Sequence, residues 1–173
     1  MSRIVFDEYR KNKGFDEKHT NREYTPESCV KDMIKFVPII EGDIVLDCSC
    51  GINKVWLNNF PTINKIGIDK DFGDDFMTYN ERVDWVISNP PFTNFIEFCF
   101  KSSEICNKGF AFLINHSRIN QVTPRRLERL KEKGFYLNEI IILSISKWFG
   151  RFYFLVFTKN KSESINWSLE NYK

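Results

Sequence analysis

VDWVISNPPF, residues 83–92, is the stretch whose reading decides the fold. Val83 to Ser88 are mostly apolar and β-branched or aromatic, as a buried strand requires, and Pro90 and Pro91 then remove two backbone donors in succession. The strand must end at Asn89. In a parallel sheet that puts the Asn89 side chain at a carboxyl end, the rim where open α/β sheets bind their ligands.

Asn-Pro-Pro-Phe suits one kind of chemistry. An amino group on an aromatic ring or a carbonyl is a poor nucleophile, because its lone pair is delocalised into the π-system. Two acceptors aimed at its N–H bonds, the Asn89 side-chain oxygen and the Pro90 carbonyl, turn that nitrogen toward tetrahedral geometry and free the lone pair for in-line attack. Placement and electrostatics in a dry site suffice, without a strong base or a covalent intermediate. Phe92 offers a face on which a planar substrate can stack. The alternative for the same letters is a strand running into a Pro-rich turn with a packed Phe.

Asn89-Pro90-Pro91-Phe92 resembles the (Asp/Asn/Ser)-Pro-Pro-aromatic signature of S-adenosylmethionine-dependent amino-methyltransferases, which act on adenine N6, cytosine N4 or glutamine amide nitrogen. The resemblance covers about Arg22 to Lys159 and is strongest to small phage and prokaryotic adenine-specific DNA methyltransferases. It implies a Rossmann-like class I methyltransferase fold and S-adenosyl-L-methionine as cofactor, with Asn89, Pro90, Pro91 and Phe92 as the catalytic element.

Further motifs fall in the family's order. Tyr24-Thr25-Pro26 resembles the segment that precedes the first strand and touches the cofactor's amino-acid end; equally, Thr25 reads as the cap of a helix opened by Pro26. IVLDCSCG is an apolar strand ending at Asp47 in a loop of small residues, where Ser49 and Gly51 let the backbone approach a ligand. Asp47 is assigned the cofactor's ammonium. The loop departs from the family's Asp-x-x-x-Gly-x-Gly in carrying Asn53 at the second glycine, a residue that tolerates a left-handed turn. KIGIDKD gives a second strand ending at Asp69, 22 positions after Asp47, near the roughly 20-residue offset at which nucleotide folds hold ribose hydroxyls. Asp71 is the fallback. Asp75-Phe76 resembles the Asp-Phe element whose carboxylate accepts from the cofactor's adenine amino group while the aromatic covers its ring; Asp74 competes, and a solvated turn is the bland alternative.

After the catalytic element, TNFIEFCFKSSEICNKG reads as an amphipathic helix region ended by Gly109, followed by the buried strand GFAFLINH. Next comes a helix with Thr123 at its cap, Pro124 in its first turn and Gly134 past its end. Arg118, Arg125 and Arg126 are candidate phosphate contacts there, although the interleaved Glu128 and Glu132 suit a solvated face equally well. YLNEIIILSISKWFGRFYFLVFTK reads as a hairpin turning at Phe149-Gly150. The whole is an α/β chain with a mostly parallel sheet and a C-terminal antiparallel hairpin. The organisation is an N-terminal arm (1–22), a methyltransferase catalytic domain (23–160) and a polar tail (161–173).

Composition sets bounds. At 173 residues, 42% hydrophobic and 28% charged, the chain suits one globular domain. No apolar run approaches the roughly 20 residues of a membrane span, and the amino terminus lacks a signal-peptide core, so a cytoplasmic location is expected. Five cysteines, an odd count without paired metal-type spacing, read as reduced core thiols, and His19 and His116 are too isolated for a zinc site. A net charge of +2 neither demands nor excludes a polyanion. The expected partner is nucleic acid, DNA before structured RNA. Too few residues follow Lys159 to form a recognition domain, so target choice falls to loops, the arm, a second subunit as in a homodimer, or a partner protein. A noncatalytic nucleic-acid-binding or partner subunit is the alternative that Asn53 motivates.

Overall fold

The computed structural model describes residues 25–145, 148 and 150–172. Tyr24, Phe149 and the arm 1–22 lie outside them. The elements run α1 (Glu27–Ile34), β1 (Val45–Asp47), α2 (Val55–Asn59), β2 (Lys65–Gly67), β3 (Val83–Ser88), α3 (Phe95–Ile105), β4 (Cys106–Asn115), α4 (Pro124–Glu132), β5 (Tyr136–Ile145), β6 (Arg151–Thr158) and β7 (Asn166–Tyr172).

These strands form one seven-stranded sheet in the order β2-β1-β3-β4-β6-β5-β7. The first four are mutually parallel, and β6 runs antiparallel to both β4 and β5. The predicted parallel sheet and closing hairpin are both present. Strand β4 is buried on both sides, and its residues alternate between two cores. Phe110, Phe112 and Ile114 face α3 and α4, while Ala111 and Leu113 face α1 and α2. The period-2 alternation is what divides the molecule into three layers.

Strand β3 has the same design, with Trp85 and Ile87 toward α1 and Val86 toward α3. The Trp85 indole N–H donates to Asp43 at 2.9 Å, and Lys108 pairs with the same carboxylate. Burial pushes the Asp43 carboxyl up, but Lys108, the Ile40 amide and Trp85 together hold it below its ordinary value. This clamp closes the amino end of the strands, opposite the rim of interest.

Three expectations change. Gly109 is not a helix terminator: α3 ends at Ile105, and Gly109 lies inside β4, where a Cβ would collide with the Trp85 ring and the Phe157 carbonyl. A glycine chosen for close approach reads in sequence like one chosen for a turn. Thr25 does not cap α1. Pro26 is the capping residue, its carbonyl accepts from Val30 N–H at 3.1 Å, and the Thr25 hydroxyl is engaged elsewhere.

The third change concerns the polar tail, of which Asn166–Tyr172 form β7, paired parallel with β5 from Glu139↔Asn166 to Ile145↔Tyr172. The backbone ladder holds this edge strand while Trp167 and Leu169 stay 69% and 62% exposed, so no inward apolar stripe announces it. Asn138 fixes the connection, donating to Thr158 Oγ1 and the Asn160 carbonyl at 2.6 Å each.

Candidate active site

The carboxyl ends of β1, β2 and β3 meet at one rim, and hydrogen bonds between side chains and loops hold them there. Asp47, the last residue of β1, is fully buried. Its Oδ1 accepts from the Ser88 hydroxyl at 2.7 Å and from Ser49 N–H at 3.3 Å. Its Oδ2 is buried without a hydrogen-bond partner. Burial pushes its carboxyl up to about 7; the Ser88 and Ser49 bonds and the nearby Leu57 amide oppose that rise, and the neighbouring Asp69 charge adds to it. Ser88 is thus a site residue that the sequence reading passed over, although a serine beside Asn89 at the end of an apolar strand was its available signal.

The loop after β1 folds back onto β2. Cys50 N–H donates to the Ile68 carbonyl, and Gly51, at φ 58°, donates to Asp69 Oδ2 at 2.9 Å. Asp69 Oδ1 accepts from Asp71 N–H at 2.9 Å. Asp69 therefore organises the loop as well as bordering it. Each of its oxygens keeps a second lone pair for a ligand hydroxyl.

Asn53 does not take the left-handed conformation expected of it. Lys54, at φ 49° and ψ 37°, does so immediately before α2. An Asn at the second glycine position therefore imposes no backbone strain here.

Asp75 caps the short turn Phe76–Thr78, accepting from Met77 N–H at 2.9 Å and pairing with Lys70 at 3.2 Å. Those two contacts hold its carboxyl below the ordinary value. Phe76 is 2% exposed and packs on Phe98 with ring centroids 4.8 Å apart. It belongs to the core on the α3 side and presents no open ring face, so it is not the exposed cover for a ring that the resemblance implies.

Asn89 follows Ser88, one residue beyond the hydrogen bond that ties β3 to Asp47. Its Nδ2 donates to Thr25 Oγ1 at 3.4 Å, while its Oδ1 is buried and unpartnered. Pro90 is buried, and the Pro91 carbonyl accepts from Asn94 N–H at 3.0 Å, which turns the chain into α3. Phe92 is half-buried, 6.4 Å from the Phe152 ring, which lies 4.6 Å from Trp148. The hairpin thus backs the tetrapeptide with two further aromatics, a contact between positions too distant in sequence to foresee.

The basic residues divide. Arg118 lies just past the end of β4, and its Nε is buried without a partner. Arg126 donates to the Gln121 carbonyl at 2.9 Å and Arg129 lies 4.2 Å over the Phe100 ring, while Arg125 is exposed.

This geometry belongs to a class I methyltransferase fold, a conclusion that solved structures support at the level of architecture. A candidate RNA methyltransferase from Pyrococcus horikoshii superposes with a TM-score of 0.61 at 20% identity, covering 79% of this chain and 86% of that one. Magnesium protoporphyrin IX methyltransferase from Synechocystis PCC 6803, solved with bound SAH, gives 0.56 at 9% identity over 91% and 99%. A type I restriction-modification methyltransferase subunit from Streptococcus thermophilus gives 0.59 at 13% identity, covering 80% of this chain and 45% of that one. No family model and no curated protein sequence matches the chain.

Proposed function

We propose that the chain transfers a methyl group from S-adenosyl-L-methionine to an exocyclic amino group, with adenine N6 of DNA as the acceptor. The observation that carries this reading is Asn89 Oδ1, a buried acceptor with no partner at the end of β3. A buried acceptor left unsatisfied costs about 1–3 kcal/mol, and a substrate N–H relieves that cost while being oriented by it.

The residues present fit the cofactor. Asp47 Oδ2 is a second buried, unpartnered acceptor, suited to an ammonium group, and Ser49 and Gly51 give close backbone approach beside it. Asp69 has lone pairs for ribose hydroxyls. Asp75 would accept from the cofactor's adenine amino group, whereas Phe76, closed over by Phe98, would support that turn from the core. Tyr24, Thr25 and Pro26 complete the cofactor set that the resemblance implies. When bound, S-adenosylmethionine supplies a methyl group made electrophilic by its sulfonium.

The chain's own residues do the rest. Asn89 Oδ1 and the Pro90 carbonyl accept the two N–H bonds of the amine, drawing its lone pair out of conjugation. Pro91 fixes the turn that holds them, and Phe92, backed by Phe152 and Trp148, carries the base plane. A base inside a duplex cannot reach these groups, so the substrate base is flipped or unpaired. Arg118, with Arg125 and Arg126 on α4, supplies positive charge for the phosphates, and a second subunit or a partner supplies sequence choice.

Asn89→Ala tests this directly. It should keep cofactor affinity within about threefold and abolish methyl incorporation into nucleic acid, assayed by mass spectrometry of nucleosides from single-stranded DNA, duplex DNA and structured RNA. Unchanged turnover in the variant overturns the assignment of Asn89. Methyl confined to RNA moves the substrate, and methyl confined to protein removes the nucleic-acid reading.

A further inference from the structure

Strand β7 ends the sheet on one side, and its outer edge faces no strand among the described residues. An unpaired edge invites a further strand, and folds blunt it with brevity, lysine, proline or a bulge. The opposite edge follows that rule, since β2 is three residues long and opens on Lys65. Strand β7 does not. Its seven residues, NWSLENY, pair with β5 without a register shift and include no lysine, arginine or proline. Trp167 and Leu169 share one face, in register with Ile140 and Ile142, and remain largely exposed.

We infer that this edge is a docking surface for a second copy of the chain, whose β7 pairs antiparallel with the first about a twofold axis at Ser168. Residues directly opposite one another in a sheet lie on the same face, which limits the axis to positions on a residue. With the axis at Ser168, Trp167 of each copy lies opposite Leu169 of the other, and Asn166 lies opposite Glu170. Two apolar cross-strand pairs then form on the exposed face, and the carboxylates stay apart. An axis at Leu169 sets Trp167 against Asn171, one at Glu170 sets two carboxylates together, and one at Trp167 keeps only residues 166–168 within the strand. An edge that matches itself in this way fits a second copy better than an unrelated strand.

Strands β4, β5 and β7 run in one direction, because β6 is antiparallel to both β4 and β5 while β7 is parallel to β5. Antiparallel pairing of two β7 strands therefore sends the two candidate active-site rims to opposite ends of a continuous sheet. Each site stays open, and the contact is independent of the methyl-transfer reading.

Sedimentation equilibrium of the full chain tests association. One strand from each copy makes a small interface, so a monomer–dimer equilibrium with Kd of roughly 1–100 μM is expected. Trp167→Lys should weaken it by about tenfold or more. Ile63→Lys, at an exposed isoleucine just before β2, should leave it unchanged. Cysteine cross-linking reads the register. Opposite Cα atoms lie about 4.5–5.5 Å apart, within disulfide reach, whereas diagonal ones lie beyond it. The five native cysteines are buried and free. Under oxidation by diamide, Trp167→Cys mixed with Leu169→Cys should give a covalent dimer, and neither variant should do so alone. The mixed dimer keeps one of its two Trp–Leu pairs.

A wild-type chain that stays monomeric up to about 1 mM overturns the inference and leaves the edge to a different partner. Equal weakening by Ile63→Lys overturns it too, because association would then come from apolar surface in general. Absence of the mixed cross-link, or self-cross-linking of Leu169→Cys, rejects the axis at Ser168. Should Trp167→Lys detach β7, the mixed cross-link decides by itself.

Discussion

Replacing Asp47 by Asn removes one ionisable group from the buried junction of β1 and β3, and its consequence can be worked out as a function of pH. In the folded chain this carboxyl titrates at about 7 against an ordinary 3.8, with burial as the dominant cause. The folded state therefore binds more protons than the unfolded state between those values, and stability falls as pH rises through that window. Each pH unit crossed inside the window costs about 1.4 kcal/mol, so the loss attributable to Asp47 is about 3 kcal/mol between about pH 4.5 and pH 8. Asp47→Asn still offers an oxygen to the Ser88 hydroxyl and Ser49 N–H, and whatever its new NH₂ costs is independent of pH. Urea unfolding of both proteins at about pH 4.5, 6, 7 and 8 should give a stability difference that moves by about 3 kcal/mol in favour of the variant as pH rises. Parallel pH curves would refute the reasoning, because they would mean that the carboxylate is as well solvated in the folded protein as in the unfolded one. The same variant should bind S-adenosylmethionine at least tenfold more weakly by calorimetry, since its free acceptor is replaced by a donor.

Gly109→Ala should destabilise the fold by about 1–3 kcal/mol, measured by chemical unfolding, because the added methyl meets the Trp85 ring and the Phe157 carbonyl inside the packed sheet. Phe92→Ala should raise KM for nucleic acid by about tenfold, as expected from losing one base-stacking face, whereas Phe92→Tyr should stay near wild type. Arg118→Ala should weaken nucleic-acid binding across all sequences and lower the slope of log affinity against log salt by about one, measured by fluorescence titration. An unchanged slope would assign the Arg118 guanidinium to the fold alone.

Local signals carried much of the architecture. The apolar runs of β1, β3, β4, β5 and β6 are dense enough in β-branched and aromatic residues to be read without a partner, and Pro90, Thr123, Pro124 and Gly134 mark boundaries by removing donors or changing backbone freedom. The strand ends at Asp47 and Asn89 follow from the same arithmetic, so the rim that holds the candidate site was determined by the sequence itself. Tertiary structure decided which polar atoms at that rim are free. Whether Asp47 is satisfied depends on Ser88, Asn89 on Thr25, and Thr25 on Trp56, pairs separated by 41, 64 and 31 positions. No local propensity encodes such a pairing, since the same Thr, Ser and Asn can bond equally well to their own backbone. Strand β7 was hidden for a related reason: its stability lies in a backbone ladder to β5, and side-chain pattern carries no record of a hydrogen bond made by the main chain.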